Sequence, residues 1–392
     1  MDIHAQLLEV TLMDSKENQE DFKQLDNIVG VDEVIRLQKE KLQALRERVR
    51  DLEFKKIDIA GGYTSLSFKA IDGGQMNVHL NPFEITVIEV ADSNDHRKIS
   101  FLVPEMTGFD DNEKIGEEII KQLDQIPIIK KFANLLNKKS IDDVSTILKR
   151  TDALREIAEW ACIFERVTLD TDDPIVILKD GLLRPKVIKS EKEENYVGEL
   201  KEILKHKKKY VKLIGVSKTS QVLSLLSVAL HLEKKIPSNA IGYLKVPLDL
   251  ESQAYNWTGS SRIKLGESKR LNYAFGDLFI AKLAKNGPLL VTIEIPRGKM
   301  NEEIYSEQEI DEIFSYLAKD SKLSYPILGY PQTIMKAHEA AVRLGFPASI
   351  IRDELKDKIL LKVDKDTKEF IRDSWLLLSE VNKGTLGGGH YD

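Results

Sequence analysis

Asp72 and Asp180 each close an apolar, β-branched run and are each followed directly by glycine. The two runs are Phe68-Lys69-Ala70-Ile71-Asp72-Gly73-Gly74 and Ile175-Val176-Ile177-Leu178-Lys179-Asp180-Gly181. The pattern predicts a strand that delivers a carboxylate at its tip, with glycine leaving room beside it. Two such tips on adjacent strands would form a cradle for Mg²⁺ or Mn²⁺, hard ions that prefer oxygen ligands. Such a cradle suits phosphoryl transfer on nucleic acid, where metal ions clamp the attacking and leaving oxygens. The plainer alternative is an Asp-Gly turn that only closes a strand. The metal reading therefore depends on what else converges on the pair.

Three further segments carry residues of the right type. In Arg155-Glu156-Ile157-Ala158-Glu159 a helix would put Glu156 and Glu159 on one face, with Glu165 further on. Ala158, Trp160, Cys162 and Ile163 surround Glu159, and a half-buried glutamate needs a partner. That partner is a metal ion, or Arg155 one turn earlier. Gly215-Val216-Ser217-Lys218-Thr219-Ser220 follows a predicted strand and opens a helix, so Lys218 is placed to meet a phosphate near free N–H groups. It lacks the glycine spacing of a Walker loop, and Thr219 or Ser220 as an ordinary N-cap explains the same residues. In Gly329-Tyr330-Pro331 through Ala337-His338, proline at the first helical turn puts Tyr330 just before the helix. His338 then lies about two turns in, where an imidazole reaches toward a bound ion or phosphate or serves structurally. The histidines at positions 4, 79, 96, 206, 231 and 390 show no ligand spacing. The basic run Lys205 to Lys209 either steers DNA or ends a helix in solvent.

The elements that must position these groups follow from periodicity. Residues 16–56 read as one helix, with Val34, Ile35, Leu37, Leu42, Leu45, Val49 and Leu52 near the helical period. It is either a short coiled coil or an arm packed on the main body. Strands are predicted at 66–72, 75–80, 84–90 and 98–103, separated by Gly73-Gly74, Asn81-Pro82 and residues 92–95. Helices follow at 115–136 and 141–167. The second aspartate's strand then opens at Pro174. Later helices are expected at 192–208, 220–232, 306–319, 331–344, 346–357 and 367–381, and later strands at 210–216, 240–245, 277–281 and 289–295. A meander followed by alternating helices and strands predicts an α/β fold, a mixed sheet flanked by helices. The expected organisation is a helical arm over 1–56, a main domain over 57–385 and a Gly-rich tail over 386–392.

Composition sets outer limits. At 392 residues and 42% hydrophobic, the chain can bury a sizeable core. A net charge of −6 argues against a globally basic nucleic-acid binder but leaves room for a basic groove. The single cysteine, Cys162, excludes an internal disulfide and a cysteine-based zinc site, and its apolar surroundings place it in the core. No run approaches the roughly 18 apolar residues of a membrane span. Met1-Asp2-Ile3-His4 lacks the regions of a secretory signal, so a cytoplasmic location is expected.

Together the four blocks resemble the NurA nuclease family. Ala70-Ile71-Asp72-Gly73-Gly74 looks like its first catalytic block and Ile177-Leu178-Lys179-Asp180-Gly181-Leu182-Leu183 like its second. Val216-Ser217-Lys218-Thr219-Ser220 and Gly329-Tyr330-Pro331 to His338 match the third and last, in order, over about residues 60 to 345. The resemblance implies a ribonuclease H-like core and a Mn²⁺-dependent nuclease acting on single- and double-stranded DNA. The implied activities are 5′–3′ exonuclease and single-strand endonuclease. It also implies a homodimer and a hexameric HerA-type ATPase partner, in DNA end processing, repair or defence against phage. By this likeness Asp72, a helix-borne glutamate and Asp180 hold the ion, and His338 is a further ligand or a proton-transfer group. Tyr330 orients water or phosphate, and Lys218 contacts the DNA backbone. Glu159 is the first choice for the glutamate, with Glu165 second and Glu156 third. Gly74 stands where the family often has serine and Lys179 where an apolar residue is usual. Lys179 would face away from Asp180 across the sheet. Two other readings share these residues: a non-catalytic DNA-binding subunit that regulates a motor ATPase, and a ribonuclease H-like enzyme acting on RNA.

Overall fold

Gly73-Gly74 does not turn the chain. In the computed structural model one unbroken strand runs from Ser67 to Leu80, carrying Asp72 in its middle. The structure describes residues 31–57, 59, 66–80, 83–94, 96–104, 121–135, 151–170, 173–184, 191–257, 275–298, 302–343, 345–362, 364, 367–373 and 375. In chain order the elements are α1 (Val31–Arg50), β1 (Lys55–Lys56), β2 (Ser67–Leu80), β3 (Phe83–Asp92), β4 (Arg97–Pro104) and α2 (Pro127–Leu135). Then come α3 (Thr151–Thr168), β5 (Ile175–Asp180), α4 (Glu191–Lys207), β6 (Val211–Ser217), α5 (Gln221–Leu232), β7 (Gly242–Lys245) and α6 (Leu248–Trp257). The last are β8 (Gly276–Lys282), β9 (Val291–Pro296), α7 (Glu307–Ser321), α8 (Gln332–Val342) and α9 (Gly345–Leu361).

The nine strands form one mixed sheet in the order β1-β7-β8-β9-β6-β5-β2-β3-β4. Its centre is parallel, β2 with β5 and β5 with β6. The β2-β3-β4 meander and the β9, β8, β7 side are antiparallel. A meander whose first strand pairs in parallel with the strand following a helix is the ribonuclease H-like arrangement. Parallel strands are covered on both faces, which is why Ile175 to Leu178 read as continuous apolar sequence and are all buried. The core joins this sheet to Trp160 and Ile163 of α3, Phe132 of α2 and Phe314 of α7. Trp160 stacks on Phe275, with ring centroids 6.0 Å apart.

Successive strand residues face opposite sides, and the two glycines show what lies on each. A methyl group at Gly73 would fall 2.7 Å from Arg155 Cγ on α3, and one at Gly74 would fall 2.1 Å from the Ala341 carbonyl oxygen on α8. The Gly-Gly pair is thus a place of close approach on both faces, and the predicted break between two strands is really one strand squeezed between two helices.

The chain divides into two compact units, one holding the described residues up to Glu53 with Ser224–Pro237. Within it, Arg46 and Arg50 of α1 both pair with Glu233, at 2.6 and 2.8 Å. The other unit, Phe54–Leu223 with Ser238 onward, contains the whole sheet. The helix predicted to reach residue 56 ends at Arg50, and Lys55–Lys56 instead pair with Tyr243 and Gly242 at the sheet edge. Two β residues carry no periodic signal, so the pattern overlooks them. Helix α6 was also unanticipated. Residues 16–30, 141–150 and 376–392, to which helices and a tail were assigned, lie outside the described residues. Among the described residues no helix is long and apolar enough to cross a membrane.

Candidate metal centre

Register decides which side chains meet. Ile71 of β2 pairs with Lys179 of β5 in parallel, so Asp72 and Asp180, each one residue on, face the same side. Asp180 is the last residue of β5, and Gly181 follows with φ +96°, a backbone open to glycine, so the chain turns away there. Helix α8 covers this face, and Pro331 at its start fixes the entry of the chain. His338, about two turns along α8, brings Nδ1 to 2.8 Å from Asp72 Oδ2. Asp72 Oδ1 accepts the Gly73 N–H at 2.9 Å. One possible ligand atom from each of Asp72, Asp180 and His338 lies within 4.8 Å of the others. Two carboxylates and an imidazole are a donor set that suits Mn²⁺.

Tyr330 sits fully buried below this cluster, its hydroxyl 2.6 Å from Asp180 Oδ1 and 3.1 Å from the Val216 carbonyl. Burial, followed by the negative charge of Asp180, holds the phenol well above its ordinary pKa, so it stays a donor that orients the carboxylate. Lys218, just past β6, places its ammonium 5.5 Å from the Tyr330 ring centroid. Ser220 accepts the Leu223 N–H at 3.0 Å as the helix cap. The structure therefore brings Asp72, Asp180, Tyr330, His338 and Lys218 to one place.

Glu159 lies on the opposite face of the sheet. It is buried on α3, with Oε2 3.3 Å from Lys179 Nζ and Oε1 3.7 Å from Arg155 Nε. Lys179 faces α3, away from Asp180, as strand alternation requires. Glu159 is outside the group of three ligand atoms, as are Glu156 and Glu165. Its carboxylate lies beside Gly73, where an added methyl group would come 2.6 Å from Glu159 Oε1. Burial pushes the Glu159 carboxyl up to about 7; Lys179 draws it down and the charge of Asp72 adds to the rise.

Two acidic positions escaped the sequence reading. Glu89, buried on β3 opposite Gly74, lies on the same sheet face as Asp72. Glu294, fully buried in the apolar strand β9, accepts the Leu183 N–H at 2.8 Å and pairs with Arg184 Nε at 3.0 Å. It thereby anchors the chain three and four residues after Asp180. For Glu294, a lone acid in an apolar strand is the signal; for Glu89 it is an acid inside the apolar run Ile85–Val90. The basic run is a helix end: Lys205 pairs with Glu302, and Lys207 binds Asp170 and the carbonyls of Thr168 and Leu169. Cys162 is buried, and burial pushes its thiol up to about 12, which suits a core residue rather than a nucleophile.

The imidazole of His338 titrates above its ordinary range, held there first by the Asp72 hydrogen bond, with burial and Lys218 opposing. A raised folded-state pKa gives stability that is complete below about 6.5 and is lost as pH rises through the raised value. In the metal-free protein, the melting-temperature gap between wild type and His338→Gln is expected to be widest in mild acid and to close at alkaline pH. Thermal unfolding across that range measures it. A gap independent of pH would show the pair makes no such contribution.

No curated protein matches the chain. Among solved structures, the NurA nuclease from Sulfolobus solfataricus is 14% identical with a TM-score of 0.43, the match covering 87% of this chain and 98% of that one. A NurA bound to dAMP and manganese is 10% identical with a TM-score of 0.41, over 87% of this chain and 98% of that one. Residues 66–343 match the NurA domain, well over half of the chain, and the protein belongs to the NurA domain family.

Proposed function

We propose that this protein is a Mn²⁺-dependent DNA nuclease in which Asp72, Asp180 and His338 hold the divalent ion, with Glu159 completing the site from across Gly73. The observation that carries the reading is the meeting of Asp72, Asp180 and His338, with 266 positions separating Asp72 from His338, while Tyr330 and Lys218 gather beside them. A bound ion would lower the pKa of a water and neutralise phosphate charge. The chain's own groups do the rest. Tyr330 donates to Asp180 and fixes which oxygen that carboxylate presents. Lys218 supplies positive charge for a DNA phosphate, and His338 Nδ1 takes or gives a proton on the Asp72 side. Burial pushes the Glu159 carboxyl up to about 7, and a cation bound nearby would draw it down.

Family membership supports a DNA substrate, since one NurA structure holds dAMP and manganese. On the same ground we assign 5′–3′ exonuclease activity on single- and double-stranded DNA, single-strand endonuclease activity, a homodimer and a HerA-type ATPase partner. The work would be DNA end processing or defence. The test is incubation of the purified protein with end-labelled linear DNA and Mn²⁺, then with EDTA. Degradation with Mn²⁺ and none with EDTA is expected. Tight binding without product at every Mn²⁺ concentration would overturn the enzyme reading in favour of a non-catalytic DNA-binding subunit.

A further inference from the structure

The same edge of the sheet carries an exposed aromatic ring that catalysis by the carboxylates does not use. Asp180 and Ser217 end the parallel strands β5 and β6. Ser217 pairs with Thr292 in antiparallel β9, and Ala281 of β8 pairs with Val291, so the connection between β8 and β9 lies at this edge too. The segment 322–330 lies against that connection. A methyl group at Gly287 would come 3.1 Å from the Leu328 carbonyl oxygen, and one at Gly329 would come 3.4 Å from Ala284 Cβ.

This segment is held firmly. The buried Ser324 hydroxyl sits 2.8 Å from the Ile327 carbonyl and 3.0 Å from that of Ser321, and it accepts the Gly329 N–H at 3.1 Å. The Tyr325 N–H donates to Gln332 Oε1 at 2.9 Å, and Gln332 begins the helix that carries His338. On this fixed frame Tyr325 is 81% exposed and Leu323 85% exposed. Two large apolar side chains two residues apart are thus offered to water on a hydrogen-bonded backbone.

We propose that Tyr325, with Leu323 beside it, is the stacking platform for an unpaired base of the DNA strand whose phosphate reaches Asp72 and Asp180. The proposal rests on the nuclease reading. Three observations favour a nucleic-acid strand over a protein partner. Tyr325 is five residues from Tyr330, so their backbones are at most about 18 Å apart, within reach of the same short stretch of strand. The Tyr325 backbone is tied by its N–H to Gln332, at the start of the helix that carries His338, so a base on the ring and a phosphate at the cluster would be held from one element. Lys218 adds positive charge at this edge for the intervening backbone. Every base has a face that stacks on an aromatic ring, so the platform would hold a strand without reading its sequence.

The experiment compares wild type with Tyr325→Ala and Tyr325→Phe. Binding is read by anisotropy of a fluorescein-labelled oligothymidylate in EDTA, and steady-state cleavage is read in Mn²⁺. Stacking on one base is worth about 1–3 kcal/mol, roughly 5- to 150-fold in affinity. Tyr325→Ala is therefore expected to weaken binding and raise KM by about tenfold or more, with kcat little changed. Tyr325→Phe keeps the ring and should behave as wild type. A scan of single abasic positions should find one that weakens wild type by a similar factor and leaves Tyr325→Ala unaffected. Wild-type binding by Tyr325→Ala overturns the platform while leaving the nuclease intact. So does a Tyr325→Ala protein whose only change is its mass in solution, which would make this surface a contact between copies. A wild-type protein that binds DNA but never cleaves it defeats the nuclease reading instead.

Discussion

Asp180→Ala and Asp72→Ala are each expected to cut Mn²⁺-dependent degradation of linear DNA by about a thousandfold or more. A metal site supplies several kcal/mol of transition-state stabilisation, and each 1.36 kcal/mol is a factor of ten. Losing one of two carboxylates from so small a donor set forfeits most of it. The fold should survive both changes. In Asp180→Ala the Tyr330 hydroxyl keeps the Val216 carbonyl, 3.1 Å away, as an acceptor. In Asp72→Ala the groups released are the His338 side chain, already 43% exposed to water, and the Gly73 N–H, so some loss of stability should accompany this change. Initial rates at saturating Mn²⁺, with thermal unfolding of each variant alongside, make the comparison. Wild-type cleavage by either well-folded variant would remove that carboxylate from the site.

Gly74→Ala should be the most damaging single-methyl change near the site. Its Cβ would meet the Ala341 carbonyl oxygen at 2.1 Å and the carbonyl carbon at 2.7 Å, which are backbone atoms that no rotamer change can move. The helix must shift instead. Overpacking of this kind costs about 1–3 kcal/mol, and the shift would displace His338 one turn away on the same helix. A fall of several degrees in melting temperature, together with a large loss of activity, is the expected outcome. Gly73→Ala should also lower the melting temperature, because its methyl meets Arg155 Cγ at 2.7 Å and the buried Glu159, which is held by Lys179. A melting temperature unchanged in Gly74→Ala would contradict the close packing of α8 on β2.

Local pattern made most of the fold legible. The apolar run before Asp180 predicts a buried strand ending there, and Gly181 at φ +96° ends it. The interval from Tyr330 to His338 fixes their relation, because Pro331 and helical spacing act within a few residues. Of the two readings of the Lys205–Lys209 run, its Lys205 and Lys207 ion pairs agree with the helix end. Patterns of this sort need only neighbours along the chain.

The sequence by itself determined which side chains can carry the chemistry, and in what order the strands and helices that bear them come. Only the tertiary structure decided that Gly73-Gly74 is a passage between two helices rather than a turn, since both uses require the same missing side chain. It alone showed that Glu159 lies outside the three-residue cluster, against Gly73 on the other face of the sheet, and that Glu294 anchors the chain after Asp180. A strand residue's face follows from its neighbours, but what waits on that face comes from segments far away in sequence. Periodicity carries no record of those distant partners.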